Sequence, residues 1–127
     1  MKKKFLLDTN VLLRHILNDN KILSSQASKY FQQAETNQAI LQITDLSLAE
    51  LIWVLKSVYS QSVNKIYDLL VKILSHKNIE IEHKDLVVSA LLLAKKHNIA
   101  FIDAINFLTA KQEKFILITF DKKLARL

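Results

Sequence analysis

The 127-residue chain contains neither glycine nor proline. Average usage is about 7% glycine and about 5% proline, so several familiar architectures are closed to this sequence. A phosphate-binding P-loop needs glycine where the backbone approaches the phosphate, and so does the G-x-G-x-x-G turn of a dinucleotide fold. A G-x-S-x-G nucleophile elbow is ruled out in the same way. Cysteine is missing as well. That removes disulfides, zinc fingers, iron–sulfur clusters and thiol catalysis, and it fits a reducing compartment.

Apolar runs alternate with stretches of helical spacing. Strands are predicted at Lys4–Leu7, Ala39–Ile43, Ile79–Ile81 and Phe115–Phe120. Helices are predicted over Thr9–Leu17, from a Ser24 cap to about Thr36, over Leu46–Tyr59, from a Ser62 cap to about Ser75, over Lys84–Lys96 and over Ile102–Gln112. Asp121–Arg126 reads as a final turn or short helix. No linker, repeat or low-complexity segment interrupts the pattern. The chain therefore reads as one α/β domain, 1–127, with a mostly parallel sheet. In such sheets ligands bind beyond the carboxyl ends of the strands. The first predicted strand runs into Asp8 and the last into Asp121.

Four of the twelve acidic residues lie in apolar sequence: Asp8 in LLDTNVLL, Glu50 in LAELIWVL, Asp103 in FIDAINFL and Asp121 in LITFDKKL. A carboxylate in apolar surroundings has to be protonated, paired or metal-bound. No lysine lies one helical turn from Glu50 or Asp103 to neutralise it. If the four converge, a divalent cation resolves their repulsion, and oxygen ligands select Mg²⁺ or Mn²⁺ over zinc. Each acid also has a purely structural reading. Asp8 and Asp121 fit helix N-caps, Ser47-x-x-Glu50 fits a capping box, and Asp103 fits a first-turn acid favoured by the helix dipole. Asp45 is ambiguous. The histidines, at 15, 76, 83 and 97, show no metal-ligand spacing. Trp53 and Phe101 read as core residues and Tyr59 as more exposed.

The formal net charge of +6 is compatible with a polyanionic partner, although the lysines are scattered and only Lys2–Lys4 form a run of three. The start, MKKKFLLDTNVLLRHIL, imitates a signal peptide. Asp8, Asn10 and Arg14 interrupt its apolar stretch, and no small-residue cleavage site follows. No apolar run is long enough to span a membrane. A cytoplasmic location is expected.

LLDTNVLLRHIL resembles the opening of a PIN domain, in which a strand runs into Asp-Thr-Asn and an apolar helix. LSLAELIWVLKSVYS resembles the second acidic motif of that family, FIDAINFLTA the third and LITFDKKLARL the fourth. Order and spacing match across nearly the whole chain, and the wording resembles the VapC-type toxins of bacterial toxin–antitoxin pairs. The resemblance implies a three-layer α/β/α sandwich around a mostly parallel sheet of four or five strands. It also implies a Mg²⁺- or Mn²⁺-dependent endoribonuclease. Asp8, Glu50, Asp103 and Asp121 fall on the acidic positions, with Asp8 and Asp103 as direct ligands and Glu50 and Asp121 as ligands directly or through water. Thr9 and Asn10 shape the first motif, and Thr119 is the hydroxyl before the last Asp. Where members often carry another acid, three residues before Asp103, this chain has Ala100. Arg14, Lys56, Lys122 and Lys123 are the expected RNA-backbone contacts.

The expected partners are an RNA substrate, a cognate antitoxin and a second copy of the chain in a homodimer. Val11–Leu17 and Ala27–Ala34 read either as that dimer interface or as core. Two other readings stand beside the toxin: a PIN nuclease of RNA processing without an antitoxin, and a PIN-like module that binds RNA or protein without cutting.

Overall fold

Two of the N-terminal lysines, Lys3 and Lys4, open the first of three strands, which continues through Phe5 to Leu6. The computed structural model describes residues 1–127. The elements are β1 (Lys3–Leu6), α1 (Thr9–Leu17), α2 (Lys21–Glu35), β2 (Ala39–Ile43), α3 (Asp45–Ser57), α4 (Val63–Leu74), β3 (Ile79–Ile81), α5 (Lys84–His97), α6 (Phe101–Glu113) and α7 (Lys122–Ala125). The fold is thus α/β, with seven helices and one three-stranded sheet.

The sheet is parallel throughout, in the order β1-β2-β3, with Leu6 opposite Gln42 and Ile43 opposite Ile81. Parallel neighbours need long crossovers, and the pairs α1–α2 and α3–α4 provide them. β2 has no exposed residue, so both faces of the central strand are covered. β1 lies at an edge, and three of its four residues are exposed. Twenty-six buried residues form one continuous apolar cluster, from Leu7 and Leu12 through Leu41, Leu51 and Leu70 to Leu91 and Leu124.

The expected count of four or five strands is not met, because Phe115–Phe120 is not a strand. Ile116–Phe120 makes no backbone–backbone hydrogen bond. Phe115, Ile116, Ile118 and Phe120 are exposed, and only Leu117 packs against the core. Alternating β-branched residues favour an extended chain, but a strand exists only in a ladder, and this segment has no partner.

Two helix starts also differ from expectation. α2 begins at Lys21, because the Asn20 side chain accepts the N–H groups of Ile22 (3.1 Å) and Leu23 (3.0 Å). Ser24 is buried inside the helix instead of capping it. α3 is capped by Thr44, whose Oγ1 accepts the Ser47 N–H at 3.1 Å. Ser47 therefore lies in the first turn, and the proposed capping box with Glu50 does not form. The apolar residues of Val11–Leu17 and Ala27–Ala34 mostly turn inward, with Leu12, Leu13, Ala27, Phe31 and Ala34 buried. These buried residues belong to the core. No helix is long and apolar enough to cross a membrane.

Buried polar groups fasten the turn before β3. Asn78 donates Nδ2 to the Ala34 carbonyl (2.8 Å) and to Asn37 Oδ1 (3.0 Å), and its Oδ1 accepts from Lys2 Nζ (2.9 Å). Lys84 Nζ donates to the carbonyls of His76 (2.9 Å) and Ile79 (2.6 Å). Burial lowers the Lys84 pKa, against the pull of Glu80 and Asp85.

Candidate active site

A parallel sheet sends all its strands out on one edge. Asp8 follows β1, Thr44 and Asp45 follow β2, and Glu82 follows β3, so three carboxylates leave at the carboxyl edge. The Leu7 N–H donates to the Gln42 carbonyl at 2.9 Å, which extends the β1–β2 ladder to the residue before Asp8. Asp8 occupies the N-cap position of α1 but makes no capping bond. Its carboxylate is exposed, beside buried Thr9 and exposed Asn10.

Glu50 lies in the second turn of α3 and points to solvent. Its apolar neighbours Leu48, Leu51 and Ile52 face the core from the other side of the helix. Leu46 and Trp53, one turn either side of Glu50, share its exposed face, and Trp53 is 62% exposed. Trp53 is therefore not a core residue, whereas Phe101 is. The context that makes Glu50 look buried in the sequence is a property of the opposite helix face.

Asp103 stands in the first turn of α6 and is half-buried. Beside it is a group that sequence reasoning missed. Tyr67, on the buried face of α4, donates its hydroxyl to the Ile99 carbonyl at 3.4 Å. Burial raises the Tyr67 pKa; the Phe101 backbone lowers it and the nearby Asp103 charge raises it further. Tyr67 thus fixes the backbone leading into Asp103. In the sequence its only signal is a place in the apolar stripe Ile66, Tyr67, Leu70 and Leu74.

Asp121 does act as a helix cap. Its Oδ1 accepts the N–H groups of Lys123 (2.9 Å) and Leu124 (3.1 Å). Thr119 Oγ1 accepts the Asp121 N–H at 3.1 Å, so the hydroxyl before the last acid sets its backbone. Of the four acids, only Asp103 is even half-buried, and none sits in the apolar enclosure that the sequence suggests. No three His, Asp or Glu side chains gather into a group that could hold a metal ion. Asp121 is carried on the unpaired Phe115–Phe120 segment, so the sheet does not place it beside Asp8.

The basic residues divide. Lys56 and Lys122 are exposed. Arg14 pairs with Asp19 at 3.1 Å, and Lys123 donates to the Asn98 carbonyl at 2.8 Å, which ties α7 to the end of α5. His15 stacks on Phe31 with ring centroids 3.7 Å apart, and His76 accepts the Asn78 N–H, so neither forms a rival catalytic site.

A family model described as PIN domain matches residues 5–127. The chain belongs to the PIN domain family. The match starts inside β1 and runs to the last residue, so Asp8, Glu50, Asp103 and Asp121 lie within it. PIN domains are typically nucleases that use divalent metals. No curated protein and no solved structure matches the chain.

Proposed function

We propose that this PIN domain is an endoribonuclease that uses Mg²⁺ or Mn²⁺ to hydrolyse RNA phosphodiesters, and that it is the toxin of a toxin–antitoxin pair. One observation carries the reading. Lysine and arginine outnumber the acids by 18 to 12, yet none of Asp8, Glu50, Asp103 and Asp121 has a cationic partner. The ion pairs use Asp19, Glu82 and Asp68 instead. Carboxylates without a cationic partner in a basic protein, at positions that resemble the acidic motifs of a nuclease family, are available to a cation, although Asp121 also caps α7 through Oδ1.

The donor set fits Mg²⁺ or Mn²⁺ in kind, since it is all oxygen and anionic. Asp8 and Asp103 would hold the ion, with Glu50 and Asp121 binding directly or through water. When bound, the ion supplies Lewis-acid stabilisation of charge on the phosphoryl oxygens. Thr9 and Asn10 would shape the turn that carries Asp8, and Thr119, which accepts the Asp121 N–H, positions Asp121. Exposed Lys56 and Lys122, with Arg14, attract the phosphate backbone; Lys123 is engaged by Asn98 and contributes less. Leu46 and Trp53 flank Glu50 and offer an apolar grip to an antitoxin that covers the acids. A cytoplasmic homodimer is the proposed form.

The scattered placement of the acids favours a second reading, a PIN-like module that binds without cutting. Incubation of the purified chain with single-stranded RNA decides between them. Mn²⁺-dependent cleavage is expected, stopped by EDTA. Asp8→Asn and Asp103→Asn should each lower it more than about 100-fold, because even residues that merely support metal ligands cost 10–100-fold. Cleavage that persists in both variants rejects the site, and RNA binding with no cleavage by the unaltered chain selects the second reading.

A further inference from the structure

Between α1 and α2 runs a cleft of about 790 Å³, the size range of small-ligand sites. It holds none of the four acids, and no acidic residue lines it. Its polar lining is Asn10, Arg14, Gln26, Lys29, Tyr30 and Gln33. These are two cations, three side-chain amides and a phenol ring, alongside apolar Val11, Leu23 and Ala27.

Each group suits one part of a nucleotide. An amide carries a donor and an acceptor side by side, which matches the edge of a nucleobase. The Tyr30 ring packs edge-to-face on Phe5 of β1, with centroids 5.1 Å apart at 73°, and stays 38% exposed. It is thus a held, accessible surface on which a base can stack. Asp19 binds Arg14 through Nη1 alone, at 3.1 Å to each oxygen, which leaves the other guanidinium donors free. Lys29 is exposed and unpaired. One end of the cleft reaches the first turn of α1, where Asn10 stands two residues after Asp8.

We propose that this cleft binds one unpaired nucleotide of a single-stranded RNA lying across the carboxylate edge, and reads its base through Asn10, Gln26 and Gln33. The inference rests on the ribonuclease reading for its substrate, but its test does not. Metal-free, ¹⁵N-labelled protein is titrated with each of the four ribonucleoside 5′-monophosphates and, as control, ribose 5-phosphate. The side-chain amide signals of Asn10, Gln26 and Gln33 should move with the nucleotides and stay still with the control. Gln26→Ala combined with Gln33→Ala should weaken binding about tenfold, the effect of losing one or two hydrogen bonds. A matching thermal melt establishes that this variant is folded.

Equal shifts with ribose 5-phosphate reduce the cleft to an anion site and overturn base reading. No shift with any nucleotide overturns the proposal outright and leaves the cleft to a protein partner. Nucleotide binding without RNA cleavage rejects the nuclease and keeps the cleft. Cleavage by the double variant with unaltered site preference keeps the nuclease and rejects the cleft.

Discussion

Six residues hold positive φ, and none is glycine: Asn18, Asn37, Ser60, His83, Asn98 and Lys114. A side chain in this region costs about 1–2 kcal/mol, and asparagine tolerates it best. The glycine-free chain accordingly stops α1 and α5 with Asn18 and Asn98, but ends α6 with Lys114 at φ 61°. Lys114→Gly should stabilise the protein by about 1 kcal/mol, measured by urea unfolding; no gain would mean the Lys114 side chain offsets the strain. His15 makes stability depend on pH. Burial lowers its pKa from the ordinary 6.5, with Glu35 pulling the other way. The folded state thus favours the neutral ring, and the unfolded chain binds the proton first as pH falls. Stability from this group is complete above 6.5 and is lost as pH drops from there through the lowered pKa. The urea midpoint should fall over that window, and less so in His15→Gln.

Secondary-structure elements differ in how far the sequence reveals them. The first three strands and the six longer helices follow from period and apolar runs, because those patterns report which side of an element is wet. The last strand does not, since pairing belongs to two segments and Phe115–Phe120 shows only its own half. Hydrogen exchange checks this: amides of Ile116–Phe120 should exchange almost as fast as a free peptide, while those of Leu41 and Ile43 persist near the limit of global unfolding. Protection at Ile118 would mean the segment pairs in solution. The four candidate acids stand out in the sequence through the motifs around them. Their exposure was not, because apolar neighbours in sequence such as Leu51 and Ile52 project away from Glu50. Tyr67 stayed hidden for the opposite reason: a core tyrosine on α4 gives no sign of its bond across to Ile99.

At the scale of the whole molecule, the sheet is small, and β1 leaves one side of its backbone unpaired. A bare strand flank can recruit the same strand from another molecule and seed fibrils. Here Lys3 and Lys4 stand exposed on that strand, so two molecules approaching flank to flank bring like charges together. Replacing both with threonine keeps strand propensity and removes the repulsion. That variant should form thioflavin-positive aggregates at concentrations where the parent stays clear; equal clarity would show the flank is guarded by something else. The lysines of β1 would then owe their place to shelf life: they keep a half-finished sheet from recruiting its own copies.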